Sequence, residues 1–479
     1  MGKSVNLFLP VFIAIIVATL LSSGIWLTSP DNRTKPIDPG PKCESACNYE
    51  LVETMPVGLY DNQDVIRFKS TADAWKKLMS LAKKNVEITA FYWSLLANDT
   101  GDGFVWDDSA QTGTDIYNQL IELGKKGIKI GINQDNSSNL YEKYESDNLA
   151  ELGYATVRSL DFRKWFGGGV LHTKSWLIDD QHFYVGSANH DWRSLSQVKE
   201  LGIAVYDCPC LTADLKKIYD VYKYMGTGDQ EVPSKWSDDL GTAFNSRNPM
   251  NVRLGNDNTL VYLTSSPPPF VPTGREHDGE TLARVINEAE KFVYISVMDY
   301  APTTLYQKPN YYWPVIDDAI RHAAFDRRAH VRLLMSRWGS TRSALYSYLH
   351  SLRALNSQLP CDRLKNETTG HYYCKEGTKG SIEIKLFEVP QYKVKIPFAR
   401  VNHAKYLVTE KTAVICTSNW SADYFITTGG ISVVIQSTSS QSAAKVVDDV
   451  SKLHERDWNS SYSTSIDEFT EDGKRKDKT

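Results

Sequence analysis

The sequence predicts an α/β protein of two similar lobes, each a mixed sheet flanked by helices. Apolar strand-like runs alternate with helix-like segments along most of the chain. Their order repeats loosely between residues 60–250 and 255–462. A third observation anchors the repeat: the pattern His-x-Lys-x4-acid occurs twice, 231 residues apart.

The elements follow in order. Residues 1–6 form a short cytosolic tail. Leu7 to Leu27 carries no charge over 21 residues, against the roughly 20 that span a bilayer. This segment reads as an uncleaved anchor, with a signal peptide cut near Ser22, Ser23 and Gly24 as the alternative. Lys3 before it and Arg33 and Lys35 after it leave the orientation undecided. Six Asn-x-Ser/Thr sequons, starting at Asn32, Asn98, Asn136, Asn366, Asn419 and Asn459, all lie beyond the span. They argue for a lumenal body and a type II single-pass topology. Asn98, Asn136, Asn366 and Asn459 are the expected glycosylation sites, whereas Asn419 lies inside a motif block and is expected to be buried and unmodified. Residues 28–59 read as a lumenal stalk, beginning with the Pro-rich SPDNRTKPIDPGPK. Residues 463–479 read as a flexible tail.

Within the body, VEITAFYWSLL (86–96) has its counterpart in FVYISVMDYAP (292–302). GIKIGINQD (127–135) matches RAHVRLLMSRW (328–338), and YATVRSLDF (154–162) matches SIEIKLFEVP (381–390). Each His-x-Lys strand comes next, then a turn, then a closing strand: ELGIAVYD (200–207) or GGISVVIQ (429–436).

The chain is 41% hydrophobic and 23% charged, with a formal net charge of −4. That balance suits a globular body and excludes a globally basic nucleic-acid binder. Any polyanion site must be a local cleft. Cys43, Cys47, Cys208, Cys210, Cys361 and Cys374 read as disulfide cysteines in an oxidising lumen. The first four would clip the start of the body to the end of its first lobe, a four-thiolate zinc site being the alternative. Cys361 and Cys374 bracket a local loop, and Cys416 reads as a buried free thiol.

The first motif is LHTKSWLID, with His172, Lys174 and Asp179, and the second is NHAKYLVTE, with His403, Lys405 and Glu410. Each leads to a small-residue turn ending in Asn: VGSAN with Asn189, and CTSN with Asn419. A His and a Lys two apart on a strand point the same way. Two such pairs face to face make a site of two imidazoles and two ammonium groups, a set suited to breaking a phosphodiester without a metal or cofactor. Each acid stands seven residues after its His. That odd offset turns it behind the sheet, into a structural role.

By order and residue type, the chain resembles the phospholipase D superfamily over about residues 43–462. The stretches GVLHTKSWLIDDQHFYVGSANHDWRSLSQVKELG and PFARVNHAKYLVTEKTAVICTSNWSADYF, with FYWSLLANDT, SSPPPF and the anchor, resemble its animal phospholipase D3 and D4 group. The resemblance implies two lobes sharing one active site. It further implies a type II membrane glycoprotein of the endoplasmic reticulum, Golgi and endolysosome, and 5′-to-3′ exonuclease action on single-stranded DNA and RNA. Glu410 departs from the superfamily's Asp but matches the group, and Cys416 replaces a usual Gly.

The expected reaction passes through a phosphohistidine. One histidine attacks and the other protonates the leaving 5′-oxygen, while Lys174, Lys405, Asn189 and Asn419 hold the phosphate oxygens. Glu200 follows His172 by 28 residues, and Thr428 takes its place in the second half. Glu200 is therefore expected to orient His172 and favour it as nucleophile, with His403 as acid. Phe91, Tyr92, Trp93, Trp165, Phe166 and Tyr300 are candidates to stack on bases, and Arg400 is a candidate phosphate ligand. His190 and Asp191 read as turn structure, and Asp107 and Asp108 as a solvated loop rather than a metal pair.

Two rival readings accompany this one: a phospholipase D or transphosphatidylase acting on phospholipid at the membrane, and an idle relative kept for binding. Two lobes in one chain need no second copy for catalysis, although homo-oligomers are compatible with the sequence. The stalk also allows release of a soluble lysosomal form.

Overall fold

The computed structural model describes residues 43, 46–61, 63–97, 106–136, 143–439 and 441–476. Among them no helix is long and apolar enough to cross a membrane. The expected anchor at 7–27, the cytosolic tail, most of the stalk and the sequons at Asn32 and Asn98 lie outside the described residues.

The first half supplies β1 (Asn48–Thr54), β2 (Lys69–Ser70), β3 (Asn85–Ala90), β4 (Trp93–Ser94), β5 (Lys129–Asp135), β6 (Ala155–Leu160), β7 (Ser175–Ile178), β8 (His182–Gly186), β9 (His190–Asp191) and β10 (Glu200–Tyr206). Eight of these make a sheet in the order β2-β1-β10-β8-β7-β3-β5-β6. The second half begins with β11 (Met250–Leu254), β12 (Asp257–Ser266), β13 (Glu276–His277), β14 (Phe292–Val297), β15 (Tyr300–Ala301) and β16 (His330–Ser336). It continues with β17 (Arg363–Lys365), β18 (Tyr372–Cys374), β19 (Ser381–Phe387), β20 (Tyr406–Thr409), β21 (Thr412–Cys416), β22 (Trp420–Ser421), β23 (Gly430–Ser437) and β24 (Ser463–Ser465). Its main sheet runs β11-β12-β23-β21-β20-β14-β16-β19-β24, with β13 beside β12.

The two orders are the same at their centres, and both sheets are mixed. The antiparallel run β10-β8-β7-β3 corresponds to β23-β21-β20-β14, and the parallel run β3-β5-β6 to β14-β16-β19. Each strand match read from the repeat is realised as a pair of equivalent strands.

Leu177, Val185 and Ile203 of the first sheet share one buried core with Val408, Ile415 and Val433 of the second. Helices cover the other faces. Helix Thr71–Leu81 begins at Ser70, whose hydroxyl accepts from the Asp73 N–H, and buries Trp75, Leu78 and Met79 along one stripe. Strands covered on both faces need no polar alternation. Accordingly β7, β8, β20 and β21 are buried at every residue, while edge strand β11 alternates buried and exposed.

Two boundaries need correction. Residues 48–54, assigned above to the stalk, form β1 and pair with β10. Residues 463–465, assigned to a flexible tail, form β24 on the edge of the second sheet, and Ile466 and Phe469 beyond them are buried. Buried Leu51 and Val52 in the first segment, and Ile466 and Phe469 just past β24, give both a reason to dock.

Candidate active site

Each half pins the other's motif. The His172 N–H donates to the Gly429 carbonyl at 2.8 Å, and the Gly429 N–H to Val170 at 2.9 Å. The His403 N–H donates to the Lys199 carbonyl at 2.8 Å, and the Lys199 N–H to Val401 at 2.9 Å. These reciprocal bridges hold the two imidazoles with centroids 6.5 Å apart at the floor of a cleft of about 360 Å³.

Lys174 and Lys405 are buried beside the histidines, their ammonium groups 2.6 and 2.5 Å from the carbonyls of His172 and His403. Burial, then the neighbouring Lys405, pushes Lys174 well below the usual lysine range, against the pull of Glu200 and Asp135. Burial also brings Lys405 down to about 7, with Glu200 and Asp299 opposing it. Asn189 and Asn419 line the cleft. Their amide nitrogens lie 3.3 and 3.0 Å from the hydroxyls of Tyr92 and Tyr424, with the Oδ1 atoms bare. Turned about its last bond, the Asn419 amide takes the Tyr424 proton on Oδ1 and presents its NH2 to a phosphate oxygen, whereas Tyr92 gives its proton to Asp191 and so accepts from the Asn189 NH2.

Asp179 and Glu410 do not reach the cleft. β7 ends at Ile178, so Asp179 sits in the hairpin turn, and its carboxylate accepts from the N–H groups of Lys83, Lys84 and Asn85 at 2.6–2.8 Å. Glu410 accepts from Glu290, Lys291 and Phe292 at 3.0, 3.3 and 3.4 Å. Each acid caps the turn into its half's first central strand, β3 or β14. The first hairpin turn spans 179–181 and the second only 410–411, so the longer Glu covers the distance left by the shorter turn.

The structure overturns one expected contact. Glu200 does not orient His172. Its carboxylate oxygens lie 3.0 and 2.9 Å from Nδ1 of His403, across the molecule, and the Ser187 hydroxyl donates to it at 2.5 Å. Nδ1 of His172 instead lies 2.8 Å from the Thr417 carbonyl. A carbonyl only accepts, so His172 carries its proton on Nδ1 and keeps a lone pair on Nε2. The reason is the crossing of the halves: β10 meets the second motif rather than its own.

The electrostatics differ accordingly. Burial, then Lys174, Lys405 and His403, drives the His172 pKa well below the ordinary value. Burial also lowers His403, but Glu200 opposes it and holds it at about 4. Burial alone would raise the Glu200 carboxyl; the His403 ring, then Lys405 and Ser187, bring it below its ordinary value. The ring that holds a proton more readily is His403, and the neutral one is His172.

Of the aromatic candidates, Phe91 and Tyr92 line the cleft. Trp93 is buried against His190, Tyr300 is buried with its hydroxyl on Asp317, and Trp165 and Phe166 pack on Phe162 and Phe270. None of these four reaches the site. Arg400 does not line the catalytic cleft: its Nε donates to the Pro390 carbonyl and its Nη1 to the Val57 carbonyl and Gln197. His190 is a core ring stacked among Trp75, Trp93 and Trp176, and Asp107 caps a turn at Ser109. Asp191 receives the Tyr92 hydroxyl and Arg193 at the cleft wall.

Tyr306, Trp338, Phe398 and Tyr424 also line the cleft and went unread in the sequence. Tyr424 and Phe398 flank the second motif closely enough to have drawn notice, whereas nothing marked Trp338. Cys43 is bonded to Cys210, Cys47 to Cys208, and Cys361 to Cys374, while Cys416 is free and buried.

A family model described as a PLD3/4, PLD-like domain matches residues 65–365. The chain is 41% identical over 429 residues to a 5'-3' exonuclease PLD3 of Xenopus laevis, covering 89% of this chain and 82% of that one. It is 38% identical over 445 residues to the Homo sapiens 5'-3' exonuclease PLD3, covering 92% and 84%. A probable phospholipase D of Caenorhabditis elegans is 39% identical over 445 residues, covering 92% and 74%. The fold is similar to that of a phosphatidylserine synthase from Haemophilus influenzae, with a TM-score of 0.51 at 13% identity over 83% of this chain and 86% of that one.

Proposed function

The chain belongs to the PLD3/4 family of phospholipase D-like proteins, and on that premise we propose that it is a 5′-to-3′ exonuclease of single-stranded DNA and RNA acting through a phosphohistidine. The observation that carries the mechanism is the unequal support of two facing imidazoles: a carbonyl behind His172, a carboxylate behind His403.

His172 Nε2 attacks phosphorus and forms the P–N bond. The bond from phosphorus to the 5′-oxygen breaks, and protonated His403 gives that oxygen its proton. His403, now neutral, takes a proton from water as the water attacks phosphorus. The P–N bond then breaks, freeing His172 and a nucleoside 3′-phosphate. Lys174 and Lys405, with Asn189 and Asn419, hold the non-bridging oxygens. The phosphodiester anion relieves the mutual repulsion of Lys174, Lys405 and protonated His403, so binding restores their charge while His172 stays neutral for attack.

The finer setting belongs to the same proposal: an N-terminal anchor at 7–27, a lumenal body in an acidic endolysosomal compartment, and glycans at Asn98, Asn136, Asn366 and Asn459. An acidic lumen suits an acid whose pKa stands at about 4. Asn366 and Asn459 are exposed, as glycan acceptors must be.

The test is purified body offered end-labelled single-stranded DNA and phosphatidylcholine, each with and without chelator. Stepwise loss of nucleoside 3′-phosphates from the 5′ end is expected, abolished in His172→Ala and His403→Ala. Head-group release with the DNA left intact would transfer the chemistry to lipid. Loss of activity with chelator would overturn the mechanism.

A further inference from the structure

Phe398 is 70% exposed on the wall of the catalytic cleft, with a left-handed backbone at φ 54°. That conformation is unfavourable for any bulky L-residue. Solvent exposure of the ring adds little to the fold in return. The surrounding chain nevertheless holds it firmly. Ile396 and Ala399, on either side, are buried against Trp192. Arg193 donates to the Pro397 carbonyl at 3.3 Å. Arg400 ties the segment down from behind, to Pro390 at 2.6 Å and to Val57 at 2.9 Å. An outlier so firmly held, beside reacting groups, points to a use.

Its place indicates which use. Phe398 leads into the second motif, five residues before His403. The rings packed on His172 are Phe91 and Tyr424, at 5.1 and 4.9 Å. In an in-line displacement the leaving oxygen departs opposite the nucleophile, so the leaving strand begins on the His403 side. Phe398 and Trp338 both line the cleft, and Phe398 is tied to the second motif by only the four residues 399–402. Trp338 also lines a second cavity of about 400 Å³, whose polar lining mixes Arg400 and Ser343 with Asp472 and the Arg337–Glu388 ion pair. Because Trp338 lines both, this cavity neighbours the catalytic cleft and offers room for further nucleotides.

We propose that Phe398 is the stacking platform for the base that heads the leaving strand, with Trp338 and the cavity beyond it carrying the strand onward. The assignment rests on the exonuclease reading and on His403 as the acid. It makes Phe398 a specificity residue: a ring that grips a splayed-out base favours single strands over paired ones and over lipid head groups.

The experiment measures the first cut on three oligonucleotides: one intact, one abasic at the second nucleotide, and one abasic at the first. For Phe398→Ala, KM rises about tenfold on the intact strand, the scale of one lost base stack. It rises no further on the strand abasic at the second nucleotide, while the full cost persists on the strand abasic at the first. Phe398→Trp restores the wild-type KM. Phe398→Gly shows the same KM loss with a Tm at or above wild type, because glycine relieves the left-handed backbone.

An equal cost of Phe398→Ala on all three strands overturns the assignment, as does a marked fall in Tm for both Phe398→Ala and Phe398→Gly. A wild type that cuts none of the strands refutes the exonuclease reading itself, and this inference with it.

Discussion

Glu200, the first residue of β10, holds Nδ1 of His403 from the opposite half, 2.9 Å away. Each half is therefore incomplete alone. The first supplies the carboxylate that sustains the second's proton, and the second supplies the Thr417 carbonyl that fixes the first's tautomer. The proposed roles of nucleophile and acid rest on this exchange, and the carboxylate expected behind His172 stands behind His403 instead. A carboxylate behind the ring marks the acid here, because it raises that ring's affinity for a proton in a site crowded with cations.

The pH profile tests this relationship. Glu200 raises the His403 pKa, which burial otherwise lowers, to a net value of about 4. Protonated His403 is the working form, so kcat/KM falls as pH rises through that value. Glu200→Gln removes the supporting charge and moves the falling limb to lower pH by about one unit or more. A limb that stays in place or moves up would show that Glu200 does not govern the acid.

A trapped intermediate tests the nucleophile. His403→Ala lacks the group that activates water but keeps His172. With a nucleoside 3′-phosphate ester whose leaving group needs no proton, the first step proceeds and the second stalls. Phosphate then accumulates on the peptide containing His172, read by mass spectrometry, and oligonucleotide turnover falls by about a thousandfold. Phosphate found on His403 in His172→Ala, with none on His172 in the reciprocal variant, would reverse the roles.

The sequence made the repeat and the two motifs legible because both are patterns along a strand: apolar runs, and a His and Lys on one face. Partners across the halves were not legible. Alignment says that Glu200 and Thr428 correspond, but not which histidine either one meets. The Thr417 carbonyl has no side-chain signature at all. Strand parity correctly turned Asp179 from the cleft, although the strand ends one residue before it and the hairpin turn does the turning. Arg400 looked like a phosphate ligand because a basic residue next to a phosphate-type motif invites that reading, yet its Nε and Nη1 hold the loop that carries Phe398.

The acids that close the motifs should matter for stability rather than chemistry. Asp179→Ala strips the acceptor from three backbone N–H groups and is expected to cost about 1–3 kcal/mol, read as a lower Tm. The folded fraction should keep its kcat. Glu410→Asp should cost less and stay active. A folded Asp179→Ala protein without activity would return the acid to the mechanism.

Lys405 should carry the opposite trade. Its ammonium is buried near Lys174, and its pKa falls from 10.5 to about 7. The unfolded chain thus binds more protons between about pH 7 and 10.5. The lysine's penalty is fully present below that window and fades as pH rises through it. Lys405→Met removes the charge and keeps the volume. The shift corresponds to a penalty of about 5 kcal/mol at neutral pH, of which losing the bond to the His403 carbonyl takes back about 1 kcal/mol, leaving a net gain of about 4 kcal/mol. Activity should fall by about a hundredfold or more, as expected when a transition-state oxyanion loses one donor. The informative measurement is the difference in unfolding free energy between variant and wild type from pH 7 to pH 10. It should shrink steadily with rising pH. A difference that is constant across the range, or a variant less stable than wild type at pH 7, would mean that the buried ammonium is compensated by the fold and held in reserve for no phosphate.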